Sequence, residues 1–181
     1  MFPLHCAVWG GIMSRQCRSA VVDDPSDRPA WVRETVALLT AWSDRERARL
    51  LRFVAEASDA ALAAGTDDDW GLGQVAVHLL LVERGVAGIV LRLSQGEATG
   101  ATGQPRPAAG AATRAGIAAL AEKAAAATER LRSTFPAEPD TAATAKHPFY
   151  GDLNSFGWLL TLPNHYGAHI QAHRAGRRSA L

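Results

Sequence analysis

Apolar positions recur at intervals of three and four through most of the chain, the pattern of helices with one buried face. Leu50, Phe53, Val54, Ala57, Ala61 and Leu62 make one such stripe. It follows Ser43-Asp44-Arg45-Glu46, which reads as a capping box opening a helix that Gly65 ends. Before it, residues 30–41 read as a separate short helix carrying Trp31, Val32, Val36 and Leu39, with Pro29 in its first turn. A second stripe, Val75, Leu79, Val82, Val86, Ile89, Val90 and Leu93, predicts a helix over 72–93 behind the acidic turn 66–69. Residues 108–134 are alanine-rich and predict a third long helix, able to pack closely but with few large core side chains. The last helix is predicted over 153–175, capped by Asp152 and stopped by Gly176, with a kink at Pro163.

Two long connections separate these helices. Residues 94–110 hold Gly96, Gly100, Gly103, Gly110, Pro105 and Pro107 and no long apolar side chain. Loops of that length are often functional or mobile. Residues 135–151 hold Pro136, Pro139 and Pro148. Nowhere does the sequence show the period of two expected of strands. Four major helices with long connections predict an all-α fold, an antiparallel four-helix bundle over residues 29–176. Residues 1–28 form an irregular N-terminal extension and 177–181 a short tail.

Composition narrows the function classes. The chain has 181 residues, enough for one domain with a proper core. Its net charge of +1 gives no electrostatic case for nucleic acid or an acidic membrane. No apolar run approaches the roughly 18–20 residues of a membrane span, and no basic segment precedes the apolar start as in a secretory signal. Met13 is an alternative start to Met1. Cys6 and Cys17 both lie in the extension, which argues against a disulfide framework and fits a reducing cytoplasm.

Candidate chemistry lies in the histidines. His165, His169 and His173 recur every fourth residue and so share a stripe of the last helix. Imidazoles at i and i+4 can reach a single ion, as in H-E-x-x-H helices, although the glutamate of that motif is absent here. His78 stands in the middle of the second stripe, among apolar neighbours. Bundle cores assemble metal sites from facing helices. His78, His165 and His169 together offer three neutral imidazoles and an open position, the catalytic rather than the structural pattern. The plainer readings are that His78 is a hydrogen-bonded core residue and that the pair is an ordinary helix surface. His173 reads as helix-terminal charge and His147 as a loop or packing residue. His5, Cys6 and Cys17 match no standard zinc spacing. Gln74 and Asn164 are candidates to orient the ligands, although ordinary hydrogen bonding is the favoured reading of each. Trp31, Trp42, Trp70 and Trp158 read as core or pocket wall.

Two segments carry a resemblance. Trp70-Gly71-Leu72-Gly73-Gln74-Val75-Ala76-Val77-His78-Leu79 resembles the second-helix signature of DinB-like proteins. His147-Pro148-Phe149-Tyr150-Gly151-Asp152-Leu153-Asn154, followed by His165-x-x-x-His169-Ile170, is similar to that family's last-helix signature. The likeness spans about residues 40–175. It implies a four-helix DinB/YfiT-like fold with a divalent metal (zinc, nickel or iron) on His78, His165 and His169. It also implies thiol-dependent transfer or isomerisation with low-molecular-weight thiols such as mycothiol or bacillithiol. The family commonly has Ser or Thr after the Trp; Gly71 stands here, leaving the capping role to Asp69, and Pro163 bears on the aim of the paired histidines. The expectation is a metal-dependent thiol S-transferase or hydrolase acting on a small molecule. The alternatives are a non-enzymatic, stress-associated or ligand-binding bundle, and a homodimer formed through exposed helix faces.

Overall fold

The computed structural model describes residue 26, residues 28–100 and residues 103–174. Its elements are α1 (Ala30–Glu56), α2 (Asp59–Ala63), α3 (Leu72–Ser94), α4 (Arg114–Thr134), β1 (Ala145–His147), β2 (Gly151–Leu153) and α5 (Ser155–Arg174). Four long helices form a bundle. α3 packs against α4 and α5, and α1 closes the ring against the same two helices.

α1 is one helix of 27 residues, not two. The expected capping box at Ser43 does not form. Val32, Val36, Leu39, Ser43, Leu50 and Val54 make one uninterrupted buried stripe, and the helix continues through Ser43 to bury all of it. The Ser43 hydroxyl donates to the Leu39 carbonyl one turn back, at 3.0 Å, instead of accepting from an N-terminal amide. The helix ends at Ala57, and Ser58 then caps the short α2 by accepting from the Ala61 N–H at 3.1 Å. Gly65 therefore does not end the long helix. It sits at φ +121°, and a Cβ there would lie 2.4 Å from the Gly71 nitrogen and 2.3 Å from Gln74 Oε1. Glycine is required where this turn passes the start of α3.

Gly71 has no side-chain oxygen to cap α3. Gln74 supplies the missing contact from inside the first turn, its Oε1 accepting from the Gly71 N–H at 3.2 Å. The backbone of Asp69 instead closes a turn with Thr66. α4 begins at Arg114, later than the alanine run suggests, because Gly110 breaks the segment at φ +71° and Thr113 provides the N-cap oxygen to the Gly116 N–H. α5 starts at Ser155, where Asn154 rather than Asp152 is the cap, accepting from the Gly157 N–H at 3.0 Å. Asp152 lies in β2 opposite Lys146. The β1–β2 hairpin is a feature the sequence pattern missed: strands of three residues are too short to show a period, and Gly151 turns the chain at φ +77°.

The core runs the length of the bundle, with Leu50, Leu79, Leu93, Ile117, Leu131, Leu159 and Tyr166 fully enclosed. Trp31 does not join it; the indole is 54% exposed and rests against Phe156. α3 is long and apolar enough, by length and composition, to cross a membrane, so the expectation that no segment reaches that threshold was too strong. In this fold it is the central core helix, packed against all four other helices.

A polar network crosses the centre. Glu83 on α3 is fully buried. It accepts from Thr128 Oγ1 of α4 at 2.6 Å, from the Tyr166 hydroxyl of α5 at 2.7 Å, and from the Arg47 guanidinium of α1. Asp44 extends it by pairing with Arg47 and Arg132. One carboxylate thus ties all four long helices. Burial, and next the adjacent Glu83 charge, hold the Tyr166 phenol well above its ordinary pKa, so it stays a donor.

Candidate metal centre

His78 occupies the middle of α3 and is completely buried. Its Nδ1 lies 2.7 Å from the Pro105 carbonyl, a group that only accepts. The ring proton is thereby fixed on Nδ1, and the lone pair of Nε2 faces the bundle interior. Opposite it, at 2.9 Å, is Nε2 of His165 on α5. His169, one turn further along α5, is 4% exposed. Its ring centroid is 4.7 Å from that of His165 and 5.3 Å from that of His78. One ligand atom from each of the three lies within 4.8 Å of the others.

This donor set fits a divalent ion. Two nitrogens bound to tetrahedral zinc at about 2.0–2.1 Å stand roughly 3.4 Å apart, so the 2.9 Å pair needs to open by only about half an ångström. The cluster also holds a buried nitrogen, His169 Nδ1, with no hydrogen-bond partner. Such orphans cost about 1–3 kcal/mol, and burying three imidazoles together is costly without something to unite them. Protonation is disfavoured. Burial first, then the neighbouring imidazoles, lower the pKa of His165 to about 3. Burial and then His78 lower that of His169 to about 4. Burial also lowers that of His78, opposed by the Pro105 carbonyl. All three are neutral near pH 7, the state a ligand requires.

These shifts predict acid sensitivity of the metal-free chain. His169 titrates near 4 when folded and near 6.5 when unfolded, so between those values the unfolded chain binds more protons. Stability is fully present above about pH 6.5 and falls as pH drops toward 4, by about 3 kcal/mol from this residue. Urea midpoints of chelator-treated wild type and His169→Gln, compared from pH 7.5 to 4.5, check this; parallel curves would show that His169 contributes nothing.

The two candidate orienting residues are engaged elsewhere. The Gln74 side chain makes no hydrogen bond to a histidine; its amide donates to the carbonyls of Thr66 and Pro107, at 3.0 and 3.1 Å. Its effect on the site is indirect, since it anchors the segment whose Pro105 carbonyl orients His78. Asn164 donates to Leu160 one turn back, not to a ligand. In both cases the side-chain amide is taken up by ordinary hydrogen bonding to backbone carbonyls. The partner that does orient His78 is a backbone oxygen 27 residues away, which leaves no trace in residue identity. His173 lies outside the cluster, edge-on to Phe53 at 6.0 Å. His5, Cys6 and Cys17 fall outside the described residues. Trp70 packs on His78 at 5.1 Å and closes the site from behind.

His165 and His169 line a cavity of about 730 Å³. Its walls come from α3, residues 99–100 and 103–105, the hairpin and α5, and include Ile89, Phe149, Tyr150 and Trp158. His147 belongs to this wall, stacked on Tyr150 at 4.8 Å, with its Nδ1 accepting from the Phe149 N–H at 3.2 Å. Gly85 and Gly88 expose bare α3 backbone to the cavity, and a Cβ at either meets nothing within 4 Å. Mid-helix glycine costs roughly 0.8–1 kcal/mol relative to alanine. Gly85→Ala and Gly88→Ala are therefore expected to raise stability by about that much each, read as higher urea midpoints; a loss would mean that the apparent space is filled.

Comparison with known proteins accords with this geometry. Residues 43–173, which include all three histidines, match the family model of the DinB superfamily. The chain belongs to the DinB superfamily. Among solved structures it is similar to TT2238, described as a four-helix bundle protein, with 27% sequence identity and a TM-score of 0.59. That match covers 77% of this chain and 98% of TT2238. No curated protein matches the sequence. Membership of the DinB superfamily and the three-histidine cluster are together compatible with metal binding.

Proposed function

We propose that this DinB-superfamily protein is a cytoplasmic, divalent-metal-dependent enzyme that transfers a low-molecular-weight thiol of the mycothiol or bacillithiol type to a small molecule, or hydrolyses one. The observation that carries the reading is the convergence of three imidazoles, two of which, His165 and His169, line a large, mainly apolar cavity. Cavities of this size hold drug-sized molecules. The donor type suits zinc, nickel or iron. A divalent ion bound there supplies Lewis acidity, lowering the pKa of a thiol or water brought to its open position.

The chain's own residues do the rest. Pro105 holds the proton of His78 on Nδ1, keeping Nε2 free to ligate. Glu83 joins α3 to α5 and so holds the helix of His78 in register with that of His165 and His169. His147 accepts through Nδ1 from Phe149, which leaves its ring proton on Nε2. Trp70 and the enclosed core keep water from reaching the cluster from behind.

One observation favours a second reading, a ligand-binding bundle without turnover: among the described residues the cavity wall holds no carboxylate to act as a base. Thermal unfolding of metal-loaded protein with mycothiol, bacillithiol and glutathione, paired with conjugation to monochlorobimane, separates the two. A cognate thiol at 100 times its Kd adds about 2.7 kcal/mol to stability. The enzyme reading expects that stabilisation together with metal-dependent conjugation. Stabilisation without conjugation supports the binding bundle, and neither result with any thiol contradicts thiol chemistry.

A further inference from the structure

We infer that the molecule this cavity accepts is an organic anion with an apolar body, its acidic group held by Arg84 or Arg92 and its other end directed to His165 and His169. The inference rests on reading the cavity as the reaction site, and it adds the class of substrate. Arg84 and Arg92 both line the cavity, and both are exposed. Neither guanidinium has a hydrogen bond or ion pair among the described residues. Among the described residues most other arginines are engaged, though Arg45, Arg52, Arg130 and Arg174, which do not line the cavity, are not. Arg47 and Arg132 pair with acids, Arg114 reaches Val54, Ala57 and Asp59, and Arg28 reaches backbone carbonyls of α4. The two unengaged cations on the cavity wall are thus distinctive for where they stand.

The sign of the cavity follows. Among the described residues its lining has two guanidiniums and no Asp or Glu, and its histidines are held neutral by burial. A low-dielectric concavity of one sign focuses its field on ligands of the opposite sign. Guanidinium matches carboxylate, sulfonate or phosphate by paired N–H donors, so recognition is of the acidic group and not of bulk charge alone. Eight residues separate the arginines, about 12 Å along the helix axis, so they offer two anchor points at different depths along α3. Between them Gly85 and Gly88 leave bare backbone with open space above it, and Ile89 presents an apolar surface. Apolar wall between cationic anchors fits an aryl or alkyl acid better than a sugar or a peptide, whose many polar groups would go unpaired there.

The test uses 2-naphthaleneacetate and its neutral amide, titrated by calorimetry into wild type and into an Arg84→Gln/Arg92→Gln variant, each metal-loaded and chelator-treated. Both sites are exposed, so the variant keeps its circular-dichroism spectrum. The expected result is binding of the acid about tenfold tighter than the amide in wild type, with and without metal, and equal binding of the two in the variant. Equal affinities in wild type, a preference that survives in the variant, or a preference that vanishes on metal removal overturns the inference. The last outcome would assign the anion to the metal and not to the arginines. The metal content of the same samples reports separately on the three-histidine reading, so either idea can fail without the other.

Discussion

Glu83→Ala is expected to lower the folding free energy by about 3–5 kcal/mol, a substantial fraction of the stability of a domain this size. The carboxylate is fully buried and accepts from Arg47, Thr128 and Tyr166. Its removal leaves a guanidinium whose side chain is only 12% exposed, with Asp44 as its remaining ion-pair partner. It also leaves a phenol and a hydroxyl without acceptors in the core. The cost arises from stranding these groups rather than from the intrinsic strength of the ion pair. Glu83→Gln keeps the shape but offers an NH₂ to partners that are themselves donors, so it should recover only part of the loss. Replacing the set together, as Arg47→Met/Glu83→Leu/Tyr166→Phe, should recover most of it. Urea midpoints separate the cases; a loss below about 1 kcal/mol for Glu83→Ala would show that the network contributes little.

The second large effect concerns the ligands. His78→Ala is expected to weaken divalent metal binding more than 100-fold, beyond the 10–100-fold typical of losing a partner that only orients a ligand. His78 is the one ligand contributed by α3, its Nε2 faces His165 at 2.9 Å, and its orientation is fixed by Pro105. Without it α5 offers two imidazoles and no facing partner. His173→Ala is the matched control, since His173 is exposed and packs against Phe53 outside the cluster. Competition with a chromophoric chelator measures both variants. Equal losses, or none in either, would contradict the assignment of His78.

Where the chain announces its own structure, it does so through period. The stripe from Val75 to Leu93 yields α3 to within a residue of its observed end, because nearly every position in it does the same thing, burying one face. The histidines were legible through spacing, His165 and His169 by their four-residue interval and His78 as a polar residue among the apolar positions of its helix. Ser43 misled because its neighbours satisfy a local capping rule, while the stripe running from Val32 to Val54 outweighs one cap. Asp152 misled similarly: the hairpin claimed it before the helix began. Glu83 gave no signal, because a single glutamate in an apolar helix looks like one solvated position until Arg47, Thr128 and Tyr166 arrive from three other helices. The Pro105 carbonyl was hidden more deeply still, since its role depends on the path of a loop.

The most direct test of the central claim is elemental analysis of the protein purified without a histidine tag. Close to one divalent ion per chain is expected, retained through dialysis and lost in His169→Ala while the helical circular-dichroism signal persists. Wild-type protein that is metal-free as purified and neither binds nor is stabilised by added zinc, nickel or iron would contradict it.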